Sequence, residues 1–339
     1  MRQRRNPTIK DVANAAGVSS ATVSYVLNGL NKVTPEVDAL VRRVAAEIGY
    51  SRNNAARALK TGRHHLIGCI LPTLTSPVFP EIAKAVQRRA AEHGYATVVV
   101  DSGNEPMREL EVIDTLSRHG IDGVVALLHP SFPVSSPPQL PMVSLDAPFP
   151  GLDSIMADHV EGGRLMAEHV VGLGHRRVGL LSGFQEHASN RERRQGFVEG
   201  AGDNIDLVWE VQVELVPELP DAAVEAIARR DVSMIVCVND LVAIAALSAL
   251  KSLGMNVPED VSVIGFDDMQ WSRWPLISLT TVRQPLNLLG ERAVDLLIKR
   301  ITTPDGEPTT EVLPVELVVR RSTGPLSSSS RDAARGARP

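Results

Sequence analysis

The stretch 8–28, TIKDVANAAGVSSATVSYVLN, has the pattern of two short helices joined by a tight turn. Thr8 can cap the first helix, and Asp11 completes a capping box while suiting the positive end of the helix dipole. Gly17 can adopt the positive φ that ends this helix, and Ser19 can cap the second. The pattern predicts a helix-turn-helix, whose second helix enters the major groove of DNA.

The outer face of the second helix supports this interpretation, because its side chains are small or hydrogen-bonding and none is acidic. Its other face carries Val23, Val26 and Leu27 at helical spacing, as a small core requires. A generic helix pair inside a larger core is the alternative. The predicted DNA contacts in this stretch are Thr8, Ser19, Ser20, Ala21, Thr22, Ser24, Tyr25 and Asn28.

The charge distribution also favours DNA binding. Residues 1–63 hold 11 Lys and Arg against 4 Asp and Glu, whereas the remainder holds 24 against 36. The overall charge of −5 therefore hides a basic head on an acidic body. Such a head is attracted to the phosphate backbone while the body keeps the protein soluble.

The segment TIKDVANAAGVSSATVSYVLNG resembles the helix-turn-helix of the lactose-repressor (LacI/GalR) family, whose usual form is T-I-x-D-V-A-x-x-A-G-V-S-x-x-T-V-S-R-V-L-N. The resemblance implies a transcriptional regulator, a repressor by default, which binds a near-palindromic operator as a homodimer. Tyr25 stands where the family usually has Arg, so the operator sequence is left open. Asp38, in the next predicted helix, replaces a phosphate-contacting Arg.

A third helix beginning at Pro35 completes a predicted DNA-binding domain of residues 1–50. Residues 51–65 then form a linker containing NNAARAL. The family has a short hinge helix here, which pairs with its dimer mate in the minor groove and wedges a Leu between base pairs. An ordinary linker helix is the alternative. The resemblance assigns the wedge to Leu59 and the helix–helix contact to Ala56, with Asn53 and Arg57 as further DNA contacts.

From Leu66 onward, short Val-, Ile- and Leu-rich runs alternate with helical stretches. This alternation predicts parallel sheets covered by helices on both faces, and about 250 residues favour two doubly wound α/β lobes. By resemblance, the core at 66–322 has the fold of periplasmic sugar-binding proteins. We expect lobe 1 at about 66–157 and 286–313, and lobe 2 at about 158–283 and 314–322. Residues 323–339 are expected to be a disordered tail.

Polar residues at the carboxyl ends of these strands indicate a ligand site, since parallel sheets bind ligands there. Ser189 and Glu192 match a capping box that would direct Arg191 into the cleft. Carboxylates, an amide and a guanidinium suit a polyhydroxylated ligand. Four of the candidates match effector contacts of the family: Asp146, Arg191, Asn239 and Asp267. Ser76, Phe79 and Trp271 complete the expected set, although Trp271 and Trp274 are equally suited to pack between the lobes.

Other functions are disfavoured. A transport-type sugar-binding protein would have a signal peptide and no DNA-binding head. No nucleophile elbow, phosphate-binding loop or zinc-protease motif suggests an enzyme. Asp240 and Asp268 are expected to cap the segments that follow them. We expect no cofactor, no metal site and no membrane span, and buried Cys69 and Cys237 in a reducing cytoplasm.

Overall fold

The computed structural model describes residues 7–27, 30, 32–50, 62–133 and 140–326. The chain forms two units, Met1–His64 and His65–Pro339. The first is the small helical head, and the second is the α/β core. No helix in the described ranges is both long and apolar enough to cross a membrane.

The described residues of the head form three helices, and the starts of these helices follow from the local sequence. Thr8 Oγ1 accepts a hydrogen bond from the Asp11 N–H, while Asp11 Oδ2 accepts one from the Thr8 N–H at 2.7 Å. Gly17 has a φ of 66° and ends the first helix. Ser19 Oγ accepts a bond from the Thr22 N–H at 3.0 Å and caps the second. The predicted helix-turn-helix is confirmed, with helices at α1 (Ile9–Ala16), α2 (Ser20–Leu27) and α3 (Pro35–Glu47).

The three helices enclose a small apolar core of seven buried residues: Val12, Ala13, Val23, Val26, Val41, Val44 and Ala45. Arg42 of α3 donates to the Val26 carbonyl at 3.0 Å and so satisfies one of the last carbonyls of α2. Its Nε also contacts Asp38 at 2.6 Å. Asp38 therefore holds in place the Arg42 side chain, which links α3 to α2.

Lobe 1 is built on a six-stranded parallel sheet with the order β11-β5-β4-β3-β1-β2. One face packs against α4 and α10, and the other against α5. The strands are β1 (Leu66–Leu71), β2 (Ala96–Asp101), β3 (Gly123–Ala126), β4 (Met142–Leu145), β5 (Asp153–Ala157) and β11 (Thr310–Leu313). The helices are α4 (Val78–Glu92), α5 (Pro106–Arg118) and α10 (Leu286–Thr302).

Lobe 2 has the strand order β12-β10-β9-β8-β6-β7, in which only the β10–β12 pair is antiparallel. The strands are β6 (Arg177–Ser182), β7 (Asp206–Gln212), β8 (Met234–Cys237), β9 (Ser262–Asp267), β10 (Thr280–Arg283) and β12 (Glu316–Val318). The helices are α6 (His159–Gly172), α7 (Ala188–Ala201), α8 (Asp221–Ala228) and α9 (Asp240–Ser252).

Helices α6 and α7 approach closely because both carry glycine at their contact. A Cβ atom on Gly163 would lie 2.2 Å from the Arg193 carbonyl oxygen, and one on Gly196 would lie 2.0 Å from that of Val160. Neither distance leaves room for a methyl group. This packing fixes the position of α7, and with it that of the arginine side chains at its start.

The chain passes between the lobes three times, after β5, after β10 and after β11. An apolar contact joins the lobes as well, since Leu241 and Met269 of lobe 2 pack in the same buried cluster as Val78 and Ile82 of lobe 1. The fold class predicted from the sequence, a helix-turn-helix head with a two-lobed α/β core, is confirmed.

Candidate functional site

A cavity of about 260 Å³ lies between the two lobes. Lobe 1 contributes the segments after β3 and β4, including Leu128, Asp146 and Phe149. Lobe 2 contributes the start of α7 and the residues before it, including His187 and Arg191. A ligand in this cavity would contact both lobes at once.

Asp146 directly follows β4 and has a φ of 64°, a left-handed conformation that few residues other than glycine adopt. Its Oδ1 lies 2.6 Å from His159 Nε2. Arg193 Nε donates to His159 Nδ1 at 3.2 Å, so the imidazole proton sits on Nε2 and points at Asp146. Burial acts to raise the pKa of Asp146, but His159 and Arg193 outweigh it and hold that pKa below its ordinary value.

Arg193 continues this chain of contacts within lobe 2. Its guanidinium carbon lies 4.0 Å from the centroid of the Phe266 ring, a cation–π contact. Its Nη1 donates to the Val238 carbonyl at 2.9 Å and lies 3.5 Å from Asp267 Oδ1. Gln284 donates to the same carboxylate oxygen at 2.7 Å. Burial raises the pKa of Asp267, and Arg193 and Gln284 oppose that rise.

The predicted capping box before Arg191 was wrong. Helix α7 begins at Ala188 with His187 as its N-cap residue, and no side chain caps it. Ser189 therefore lies inside the first turn instead of ahead of it. Arg191 lines the cavity, and its Nη1 donates to the Gln185 carbonyl at 3.0 Å. The arginine that faces Asp267 is Arg193, which was not predicted from the sequence.

Three further strand-end residues have structural partners. Asn239 Oδ1 accepts from the Val242 N–H at 2.9 Å and caps α9. Asp240 does not cap a segment, because its carboxylate accepts bonds from the Met269 N–H at 2.8 Å and from two hydroxyl groups in lobe 2. Burial and repulsion from Asp267 raise the pKa of Asp240. Asp268 does not cap a segment either, since it binds three arginines.

The remaining predicted effector contacts lie elsewhere in the core. Ser76 is buried just before α4, and Phe79 in α4 packs against the lobe 1 core. Trp271 lies in a short 3₁₀ helix, Gln270–Arg273, and is 38% exposed. Among the described residues, these three do not line the 260 Å³ cavity. The structure thus brings Asp146 and Arg191 together, and links Asp146 to Asp267 through His159 and Arg193.

In the head, α2 presents the face that the sequence predicted. Val23 and Val26 are buried, whereas Ser19, Ser20 and Ala21 are exposed and Thr8, Thr22 and Ser24 are half-buried. Tyr25 is 37% exposed, and Lys32 Nζ lies 5.3 Å from its ring centroid. The predicted contacts Asn28, Asn53, Ala56, Arg57 and Leu59 lie outside the described residues.

Comparison with known proteins is consistent with both parts of this architecture. The family of bacterial regulatory proteins called the lacI family matches residues 8–53, and the periplasmic binding protein-like domain matches residues 167–323. The transcriptional repressor PurR of Mannheimia succiniciproducens is 34% identical over 327 residues, which cover 93% of this chain and 98% of that repressor. The chain belongs to the LacI family of bacterial regulatory proteins.

Solved structures of LacI-family proteins agree with this assignment. A lac repressor dimer bound to operator and the anti-inducer ONPF has a TM-score of 0.80 and 27% identity, covering 94% of this chain and all of that one. A complex of the regulator CelR with cellobiose has a TM-score of 0.69 and 29% identity over the same shares. This LacI-family chain is a DNA-binding transcriptional repressor.

Proposed function

We propose that this LacI-family repressor binds a near-palindromic operator as a homodimer in the cytoplasm. We further propose that a sugar or sugar derivative, bound between the lobes, controls its operator affinity. The observation that carries the second proposal is the 260 Å³ cavity, which residues of both lobes line. The CelR structure, which resembles this chain along most of its length, contains cellobiose.

The lining of the cavity suits a sugar. Asp146 and Arg191 provide an acceptor and a donor, and His187 adds an imidazole. Because each sugar hydroxyl both donates and accepts, neighbouring groups of both kinds are required. Phe149 and the prolines beside it offer an apolar surface for the carbon face of a sugar ring. A polyhydroxylated ring matches both features.

The cavity also supports a route from effector to DNA. An effector changes DNA affinity only if it binds two arrangements of the lobes unequally. A ligand that contacts Asp146 in lobe 1 and Arg191 in lobe 2 favours one angle between them. Lobe 1 begins at Leu66, directly after the linker 51–65. In a homodimer, the position of lobe 1 relative to lobe 1 of the second subunit would therefore set the distance between the two linkers.

Titration with a panel of sugars tests this proposal. Ribose, glucose, xylose, galactose and cellobiose are each added to the purified protein in a calorimeter, and then to its complex with operator DNA in a mobility-shift assay. We expect at least one of these sugars to bind and to change operator affinity. If this panel, extended to sugar phosphates and further disaccharides, gives neither heat nor a changed mobility shift, the effector is not a sugar.

A second prediction concerns base recognition by Tyr25. Its side chain is exposed on α2, so Tyr25→Ala is expected to lose discrimination at one base-pair position, by about 1–3 kcal/mol. Nonspecific affinity should hardly change, because phosphate contacts supply most of it. Selection from a randomised operator library measures both quantities.

The matched control is Asn14→Ala, which alters an exposed residue of α1 where no base contact is expected. It should leave the selected site unchanged. If Tyr25→Ala weakens binding to every sequence equally, Tyr25 contacts the backbone and does not read a base.

A further inference from the structure

Three side chains able to bind a metal ion meet beside the cavity, and they come from both lobes. His129 follows β3 in lobe 1, whereas Glu186 and His187 precede α7 in lobe 2. One ring nitrogen from each histidine and one carboxylate oxygen all lie within 4.8 Å of one another. We propose that His129, Glu186 and His187 bind a divalent transition-metal ion, which ties the two lobes together.

The donor set indicates the class of metal. Two imidazoles and one carboxylate, with a position left for water, form a set that Zn²⁺ uses in proteins. Imidazole nitrogen favours Zn²⁺, Ni²⁺ and Cu²⁺ over Mg²⁺ and Ca²⁺, which prefer oxygen ligands. Because all three side chains are at least partly exposed, small rotations can bring their donor atoms to bonding distance of one ion.

The arrangement of the rings permits shared coordination. The ring centroids of His129 and His187 lie 5.6 Å apart with planes at 83°, so the two rings do not stack and their nitrogens can point to one site. His187 Nε2 lies 3.8 Å from a carboxylate oxygen of Glu186.

His129 has one competing contact. Its Nδ1 accepts a hydrogen bond from the Ser131 N–H at 3.0 Å, so the neutral ring carries its proton on Nε2. Coordination through Nε2 moves that proton to Nδ1, and the Ser131 contact is then lost. The ion therefore replaces one neutral hydrogen bond with a metal–nitrogen bond.

The three proposed metal ligands come from both lobes. Since His129 belongs to lobe 1 and the other two ligands belong to lobe 2, a bound ion fixes the distance between the lobes at this point. Glu186 and His187 also line the 260 Å³ cavity, so the ion would narrow access to it. The metal site does not depend on which effector, if any, the cavity binds.

Calorimetric titration of the EDTA-treated, dialysed full-length protein with zinc chloride tests the site. We expect binding that is weakened at least about tenfold in both His129→Gln and His187→Gln. His119→Gln is the matched control, because His119 is an exposed histidine of lobe 1 at the end of α5. It should bind zinc like the unmodified protein. Unchanged affinity in His129→Gln would show that lobe 2 alone holds the ion, which overturns the proposal.

A second measurement uses the unaltered protein and is independent of how the variants fold. Histidines are modified with diethyl pyrocarbonate with and without zinc chloride, and the modified positions are identified by mass spectrometry. Zinc should protect both His129 and His187 but not His119. Equal modification of His129 in both samples would contradict the inter-lobe site.

Discussion

Replacing Asp146 with Asn is expected to weaken effector binding by about tenfold to over a hundredfold, while operator binding without effector stays unchanged. The estimate comes from the loss of one charge-assisted hydrogen bond, which contributes roughly 1.5–3 kcal/mol. Only Oδ1 of Asp146 contacts His159, at 2.6 Å. An Asn side chain can accept the same bond, so the substitution removes the charge and keeps the shape.

Asp101→Asn is the matched control for this variant. Asp101 is also a strand-end aspartate of lobe 1, but its carboxylate accepts bonds from the N–H groups of Leu74 and Gly103 instead of lining the cavity. Calorimetry measures effector affinity, with the sugar of the panel that binds the unmodified protein most tightly. A mobility-shift assay measures operator binding. If Asp146→Asn and Asp101→Asn bind that sugar equally well, the effector does not contact Asp146.

The helix-turn-helix was predictable because each of its signals acts within three residues. The Thr8 and Asp11 side chains bond to each other's backbone N–H groups, and Gly17 ends the helix through its own φ. Such contacts depend little on the rest of the fold. The central strands of the two sheets were predictable because strands buried on both faces must be continuously apolar, whereas the edge strands β11 and β12 are partly exposed and lack that pattern.

The polar network of the cleft was predicted only in part. Asp146 and Asp267 were identified as strand-end acids, but His159, which connects Asp146 to Arg193, gave no local signal. Its partners lie 13 and 34 positions away in the sequence. The packing of α6 against α7 brings Arg193 to His159, whereas Asp146 comes from the end of β4 in lobe 1. The cluster of His129, Glu186 and His187 was not predicted for the same reason. Its residues come from two lobes, so no spacing motif in the sequence relates them.

The prediction that Arg191 enters the cleft depended on where α7 begins. The sequence around Ser189 matches a capping box, and a helix starting after Ser189 would have made Arg191 a first-turn residue beside the cleft. In the structure the helix begins at Ala188, and the Ser189 side chain does not cap it. Because Arg191 and Arg193 are two positions apart, their side chains point more than half a turn apart around α7, and Arg193 is the one that lies near Asp267.

Asp268 is expected to make a large contribution to the stability of the core. Its side chain is fully buried and contacts Arg283 at 2.6 Å, Arg273 at 3.0 Å and Arg320 at 2.5 Å. Arg283 ends β10 immediately before the chain crosses to lobe 1, and Arg320 follows β12 after the chain has returned. One buried carboxylate thus holds together two segments that adjoin the crossings between the lobes.

We expect Asp268→Asn to lower the free energy of unfolding of the core by about 1.5–3 kcal/mol, because the buried carboxylate loses its charge-assisted hydrogen bonds while the partly exposed arginines Arg273 and Arg283 stay solvated. Asn tolerates the left-handed backbone at this position, where φ is 53°. The loss of unfolding free energy therefore measures the effect of removing the carboxylate charge. Asp206→Asn is the control, since Asp206 pairs with Arg177 at 3.4 Å on the surface. It should cost no more than about 1 kcal/mol.

The pH dependence of this loss provides a separate test. Burial acts to raise the pKa of Asp268, but the arginines outweigh it and hold that pKa below its ordinary value. A group whose pKa is lowered on folding stabilises the fold above its unfolded pKa, which is about 3.9 for Asp, and loses that contribution as the pH falls through its folded pKa. Urea unfolding should therefore show a large difference between the unmodified protein and Asp268→Asn at pH 7, and a shrinking one below pH 4. A difference that stays constant down to pH 3 would mean that lost packing, and not the carboxylate charge, causes the destabilisation.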